Sequence, residues 1–151
     1  MHEILVNKNG TVTVVGDAGS VNGILNELVE KNTTPEVLNE DGTVKTEAVI
    51  PAADTLAVEV TATDLKTHAW RLPKVRATRL ESIRNKRNEK LKELDLEYQL
   101  ADEGVHPDGL DKAAVAEKKV ILRDLPPDAE AALAELNNTD DISAYVPDAL
   151  K

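Results

Sequence analysis

Short runs of aliphatic residues separated by turn-forming residues occupy the first half of the chain, a pattern typical of β-strands. The runs 4–6 and 11–15 flank Asn9-Gly10, a dipeptide that tolerates the positive φ angles of a tight hairpin turn. The pattern Asn-x-[Asn/Asp]-Gly-Thr-Val is shared by the stretches 7–14 and 39–46, where it begins at residue 7 and again at residue 39. Because the residues around the two stretches do not match, they predict two hairpins with the same turn chemistry rather than an internal repeat.

A short helix is predicted between the two hairpins, because the aliphatic residues there fall on one side of a helical projection. Ser20 or Asn22 would cap this helix, which would end near Lys31. Residues 55–63 alternate between aliphatic and small or polar residues, which indicates a further strand. Pro73 then marks the joint with a different kind of structure.

The hydrophobic period changes from about 2 to about 3.6 residues near Val75, which indicates helix. Neither Gly nor Pro interrupts residues 75–101, so a single helix about 40 Å long is predicted. That length exceeds what a compact domain of this size needs. We therefore expect part of the helix to pack on a partner or on another copy of the chain.

A turn at 104–109 should follow, and then a second helix from about Leu110 to Arg123 that Pro126-Pro127 stop. The prolines would open a short third helix over 128–136. The predicted fold class is therefore α+β. It comprises a β-rich N-terminal domain over 1–72, a helical domain over 75–136 and a polar C-terminal tail over 137–151.

Composition excludes several classes of function. The 151 residues include no Cys, which excludes disulfides, thiolate metal sites and cysteine nucleophiles. The aromatic residues are Trp70, Tyr98 and Tyr145 alone, too few for a surface that stacks nucleic-acid bases. No apolar run is long enough for a transmembrane helix and no signal peptide is evident, so we expect no membrane partner and a cytoplasmic location where the protein is made.

Charge is distributed unevenly along the chain. The net charge is −10, yet residues 76–92 carry +5 between flanks of −5 and −10. Binding of a polyanion would have to overcome repulsion from the rest of the molecule. We therefore expect the basic segment to dock a protein, and we expect no nucleic-acid partner.

Catalytic and metal-binding motifs are missing from the sequence. The histidines, His2, His68 and His106, have no metal-ligand spacing, and no serine lies in a nucleophile elbow. Carboxylate pairs such as Asp140-Asp141 resemble solvated loop charges. We therefore expect a protein that is not an enzyme and that has no cofactor and no metal site.

The apolar stripe of the long helix contains a charge, since Arg87 projects between Leu80 and Ile83 on one side and Leu91 and Leu94 on the other. Such a charge is costly to desolvate unless it is paired, or unless its stem is buried while its head reaches water. Two interpretations stay open. The arginine either snorkels within the monomer or pairs with a carboxylate on a neighbouring helix or partner.

A basic border lies beside this stripe. It consists of Arg79, Lys86 and Lys90, and the two lysines have Glu89 and Glu93 three residues further on. Ion pairs at that spacing would stabilise a solvated helix by only a fraction of a kcal/mol each.

Two segments of the predicted helices carry a family resemblance. The first is Arg87-Asn88-Glu89-Lys90-Leu91, followed by Asp95, and the second is Leu122-Arg123-Asp124-Leu125-Pro126. Over about residues 80–127 the chain thereby resembles the bacteriophage tail fibre assembly chaperone family. The C-terminal helical part of that family has an Arg-Asn/Asp-x-Leu-Leu stretch, a nearby Asp, and a second helix that ends in Leu-Arg-Asp-Leu-Pro.

The resemblance implies a non-enzymatic chaperone that binds a phage tail fibre protein, itself trimeric, and assists its folding and trimerisation. It implies a location in the host cytoplasm during assembly, or in the virion if the chaperone stays attached. Alternatives are a structural adaptor or baseplate or tail component of a phage, and a generic protein-interaction module. The predicted partner-binding residues are Leu80, Ile83, Arg84, Arg87, Asn88, Leu91, Leu94, Tyr98, Leu122, Arg123 and Leu125.

Overall fold

The computed structural model describes residues 3–16 and 19–151. His2 lies outside the described residues. The chain divides into two compact units, Met1–Lys74 and Val75–Lys151. The first unit holds the strands and the second is helical, so the predicted α+β class is confirmed.

A three-stranded antiparallel sheet forms the centre of the first unit. Its strands are β1 (Glu3–Asn7), β2 (Val12–Val15) and β5 (Ala57–Val60), in the order β2-β1-β5. Leu5 of the central strand pairs with Thr13 on one side and with Glu59 on the other.

Helix α1 (Gly19–Asn32) packs on this sheet. Val21 is buried with Leu5 and Val15, and Ile24 and Leu25 pack against them. The helix between the hairpins is therefore confirmed. Ser20 and Asn22 lie inside the helix, so the prediction that one of them caps it was wrong.

The two predicted hairpins are confirmed, and their turns share one set of hydrogen bonds. In the first turn, Asn7 Nδ2 donates to Thr11 Oγ1 at 3.0 Å, and Asn9 Oδ1 accepts from the Thr11 amide at 3.0 Å. The second turn joins β3 (Val37–Leu38) and β4 (Val44–Thr46). There Asn39 Nδ2 donates to Thr43 Oγ1 at 3.0 Å, and Asp41 Oδ1 accepts from the Thr43 amide at 3.0 Å. Gly10 and Gly42 have φ angles of 84° and 81°, which explains why each turn needs glycine there.

The surroundings of the two turns differ. Arg71 Nη1 donates to the Gly10 carbonyl at 2.8 Å, and a Cβ on Gly10 would lie only 2.6 Å from the Trp70 carbonyl oxygen. A Cβ on Gly42 would meet nothing within 4 Å. The second hairpin, here called the arm (residues 34–50), is exposed along its whole length.

Between the arm and the helical unit the chain forms a 3₁₀ turn at Ala53–Thr55, strand β5 and the short helix α2 (Ala62–Leu65). Helix α3 (Arg71–Asp102) begins within the first unit and continues into the second. Its 32 residues include the whole predicted span of 75–101 and correspond to about 48 Å. Pro73 lies in the first turn of α3, where a proline is tolerated because the amide there has no helical partner.

Helix α4 (Lys112–Ala134) corrects the prediction for the second helix. It runs through Pro126 and Pro127, so these prolines do not stop it, and no separate helix occupies 128–136. Each proline removes one helical N–H donor. Burial of Pro126 together with Leu122, Leu125 and Ala129 offsets that loss, because these residues make up the packed side of the helix.

The C-terminal segment 137–151 is folded, although its composition suggested a polar tail. It contains helix α5 (Thr139–Ala144), which Asn138 caps, and a final 3₁₀ turn at Asp148–Leu150. Ile142 of α5 is fully buried. The short third helix of the fold is therefore α5.

Candidate partner-binding surface of the helical hairpin

Helices α3 and α4 form an antiparallel hairpin within the second unit. Lys112 Nζ lies 2.9 Å from Asp102 Oδ1, next to the turn, and Lys119 Nζ lies 2.5 Å from Asp95 Oδ1 further along. At the far end, Arg76 donates to the Leu133 carbonyl at 3.1 Å. Residues near 87–91 of α3 therefore lie opposite residues near 121–127 of α4.

The turn between these helices is held by His106, whose role the sequence did not reveal. His106 is buried, and its Nδ1 accepts from the Asp108 amide at 3.1 Å. Its Nε2 lies 3.4 Å from Glu97 Oε2. The predicted turn at 104–109 is confirmed, and Gly104 and Gly109 both have positive φ angles. The position of His106 between these two glycines was the only sign in the sequence that it belongs to the turn.

Several predicted partner-binding residues form the interior of the second unit. Buried there are Leu80, Ile83, Leu94, Leu122 and Leu125. Their aliphatic side chains hold the hairpin together and do not face a partner while the helices are packed. Sequence periodicity identified a buried stripe correctly but could not distinguish burial within the chain from burial against a second protein.

Tyr98 and Leu91 are half-buried. The ring of Tyr98 lies under Lys119 Nζ, 5.3 Å from the ring centroid, and the same ammonium pairs with Asp95. Both Tyr98 and Asp95 therefore serve the α3–α4 contact. Asp95 is the residue that stands in place of the nearby Asp of the resembled family.

The predicted residues Arg84, Asn88 and Arg123 are exposed. Arg84, Asn88 and Lys92 are spaced four residues apart along one side of α3. Arg123 follows Lys119 by one helical turn and so continues the same side of the hairpin on α4.

Arg87 joins this group through its guanidinium, which donates to Asn88 Oδ1 at 2.9 and 3.2 Å. Arg87 as a whole is half-buried while its guanidinium hydrogen bonds are exposed, which agrees with the snorkelling interpretation for the free chain. We call the group formed by Arg84, Arg87, Asn88, Lys92 and Arg123 the Arg84–Arg123 surface. Within the described part of the chain, none of its four cations forms an ion pair.

The three residues of the predicted basic border, on the other side of the hairpin, have different roles. The Arg79 guanidinium donates to the Tyr145 carbonyl at 2.8 and 2.6 Å and so holds the C-terminal segment on α3. Lys86 and Lys90 form no ion pair with any described residue, so the predicted pairs with Glu89 and Glu93 are not formed.

A groove of about 330 Å³ opens beside Lys90. Its apolar surface is provided by Leu94, Ile121, Leu122 and Ala149, and its charged rim by Lys90, Glu93, Glu97 and Lys118. The groove thus lies between α3 and α4, and Ala149 of the C-terminal segment closes one part of it.

Neither metal-ion nor membrane features occur in residues 3–16 and 19–151. No group of three or more His, Asp or Glu side chains in these ranges is arranged to hold a metal ion. None of the helices there is long and apolar enough to cross a lipid bilayer. Comparison with protein families, with curated proteins and with solved structures finds no match for the chain.

Proposed function

We propose that this protein is a non-enzymatic bacteriophage tail fibre assembly chaperone, which binds the fibre protein through the Arg84–Arg123 surface and assists its folding and trimerisation. It acts in the host cytoplasm during assembly and reaches the virion if it stays attached to the fibre.

One observation carries the proposal: the two family-like segments, separated in sequence, come together on one side of the α3–α4 hairpin. Asn88 of the first segment and Arg123 of the second each lie one or two helical turns from the Asp95–Lys119 ion pair that joins the two helices, while Leu122 and Leu125 are buried inside the hairpin. The chain thus buries the leucines of the motifs and presents their polar residues.

Charge supports a protein partner with an acidic contact region. The Arg84–Arg123 surface is a local cationic patch on a chain of net charge −10, and its guanidinium groups are not neutralised by described residues. Arginine is well suited to such an interface because its planar fork matches a carboxylate with two hydrogen bonds. A fibre carboxylate that replaces Asn88 as the partner of Arg87 would meet this requirement.

The test is co-expression with a phage tail fibre protein, the first candidate being any that a neighbouring gene encodes, followed by size-exclusion chromatography and measurement of the mass of the complex. In a desolvated interface, Arg87→Leu should weaken binding by about 2–5 kcal/mol and act mainly on dissociation. Arg87→Glu and Arg123→Glu should abolish co-purification. Thermal unfolding of each free variant should shift only slightly, because these charges have no intramolecular ion pair to lose.

Lys86→Glu is the matched control, since it makes the same change of charge on α3 but outside the Arg84–Arg123 surface. It should leave the complex intact. If the Arg87→Glu and Arg123→Glu variants retain the complex in full, the fibre does not bind this surface. If the wild-type chain forms no complex with any fibre protein, the chaperone function itself is refuted.

A further inference from the structure

The histidine of the α3–α4 turn forms a hydrogen bond that exists in one protonation state only. Nδ1 of His106 accepts from the Asp108 amide at 3.1 Å, so this nitrogen carries no proton. The single ring proton of the neutral imidazole then lies on Nε2, which is 3.4 Å from the Glu97 carboxylate. An imidazolium carries a proton on both nitrogens and has no acceptor left. Protonation therefore breaks the bond to the Asp108 amide, whichever way the ring is turned.

The position of the ring gives a proton on it a structural effect. The side chain of His106 is only 3% exposed, so the ring cannot be solvated while the turn stays closed. A buried charge is costly unless it is paired. Glu97 is able to pair with it, because its side chain is 37% exposed and forms no ion pair with any described Lys or Arg. A protonated ring thus exchanges its bond to the turn for an ion pair with α3.

The other charged groups beside the turn have partners of their own. Asp102 at the end of α3 pairs with Lys112 at the start of α4, 2.9 Å apart. Asp111 accepts from the Ala114 amide at 2.8 Å as the N-cap of α4. Glu97 is therefore the charged group whose contact with the imidazole is direct.

Elsewhere the chain makes the same turn bond with a side chain that does not titrate. Asn9 accepts from the Thr11 amide at 3.0 Å, and Asn138 accepts from the Asp140 amide at 2.8 Å, in each case two residues further on. An asparagine therefore suffices for this bond. At His106 the acceptor is instead a buried imidazole, a group whose charge changes between about pH 5 and 8.

We propose that His106 is a pH-sensitive switch in the α3–α4 turn. In the neutral state its Nδ1 holds the Asp108 amide and closes the turn. When the ring gains a proton, the amide is released to water and the imidazolium pairs with Glu97. The switch requires only residues of this chain and does not depend on a fibre partner.

His68 in the first unit provides an internal reference. Its Nδ1 accepts from the Trp70 amide at 3.2 Å, the same type of bond. The residue is half-buried, and no carboxylate among the described residues lies within ion-pair distance of it. Protonation of His68 should therefore release the Trp70 amide without forming an ion pair.

The experiment is an NMR titration of the full chain, labelled with nitrogen-15, between about pH 8 and pH 5. The two nitrogens of an N–H···N hydrogen bond share a scalar coupling. We expect a coupling between His106 Nδ1 and the Asp108 amide nitrogen at about pH 8, and its complete loss as the ring takes up a proton. The Asp108 amide shifts should change with the same midpoint as the His106 ring signals.

Two variants test the roles of the residues separately. Glu97→Gln keeps the shape of the side chain but removes its charge, so the midpoint at Asp108 should fall by about half a pH unit or more, while the midpoint at Trp70 stays unchanged. Glu93→Gln is the matched control, since it removes the same charge one turn earlier on α3 and should leave both midpoints unchanged. His106→Asn keeps an acceptor for the amide, so the Asp108 signals should no longer depend on pH in this range.

A wild-type Asp108 amide that is unaffected between pH 8 and pH 5, or a coupling that persists after the ring is protonated, would overturn the proposal. The same holds if Glu97→Gln leaves the Asp108 midpoint in place or raises it, or if the pH dependence at Asp108 survives in His106→Asn. Circular dichroism shows whether the smaller asparagine leaves the hairpin folded. If it does not, the wild type and Glu97→Gln decide the question.

Discussion

The two turns offer a matched pair of substitutions, Gly10→Ala and Gly42→Ala. Both glycines have φ angles near +80°, so a Cβ at either position introduces about the same backbone strain, roughly 1–2 kcal/mol. Only at Gly10 would the new Cβ also lie 2.5 Å from Lys74 Cβ and 2.6 Å from the Trp70 carbonyl oxygen. Of these, the backbone oxygen cannot move aside without a shift of the chain.

Overpacking of this kind adds about 1–3 kcal/mol. We therefore expect Gly10→Ala to lower the free energy of unfolding by about 2–5 kcal/mol, and Gly42→Ala by no more than about 1–2 kcal/mol. Folded proteins of this kind usually have a free energy of unfolding of about 5–15 kcal/mol, so the loss expected for Gly10→Ala is a substantial fraction of the total.

The assay is urea unfolding followed by the fluorescence of Trp70, the only tryptophan of the chain. This side chain belongs to the residue whose carbonyl Gly10 approaches, so its emission also reports displacement of the docked turn. If the two variants lose the same stability within about 0.5 kcal/mol, the turn at Gly10 is not packed on the start of α3, and the reasoning from its close approach is refuted.

Three further predictions concern the second turn and the C-terminal segment. Hydrogen bonds from Thr43 lower the pKa of Asp41, so they stabilise the second turn fully above the ordinary carboxyl pKa, and this stabilisation is lost as the pH falls through the lowered value. The protection of amides 39–43 from exchange, relative to an unstructured peptide at the same pH, should therefore decrease in acid, and Asp41→Asn should abolish this dependence. Arg79→Met removes two charge-assisted hydrogen bonds and should cost about 1.5–3 kcal/mol, with faster amide exchange over 139–150 than in wild type. Ile142→Ala should lower the free energy of unfolding in urea by about 2–5 kcal/mol, whereas an unchanged stability would show that the segment is an unpacked tail.

Features that depend on a few neighbouring residues were predictable from the sequence. The Asn9-Gly10 and Asp41-Gly42 dipeptides fix their turns through glycine conformation and local hydrogen bonds, so both hairpins are where they were expected. The long helix was likewise evident, because its 3.6-residue period runs for many turns without Gly or Pro.

Features that depend on distant contacts were not predictable. The prolines of α4 are typical of a helix boundary, yet the helix continues through both of them, with Pro126 on its buried side. The segment 137–151 is polar in composition, but Arg79 holds it from a position 66 residues earlier in the chain. Nothing within either segment signals these contacts.

The same limit applies to the candidate site. Arg79 and Arg84 are both basic residues of one helix, but the first is engaged by the Tyr145 carbonyl and the second is exposed. Only the three-dimensional structure separates a cation that stabilises the fold from one that remains available to a partner. The cations of the Arg84–Arg123 surface are of the second kind, because none of them forms an ion pair with a described residue.

The length of α3 does not by itself call for a partner, although the sequence suggested that it would. Residues 71–74 belong to the first unit, and the rest of the helix is engaged by α4 from Asp102 at one end to Arg76 at the other. The proposal of a partner rests on charge instead. Arg84, Arg87 and Lys92 of α3 form no ion pair with a described residue, although α3 also contains acidic residues and the chain as a whole carries −10. A fibre protein bound at these cations should therefore bind more weakly as the salt concentration rises, because the proposed contacts are between exposed charges.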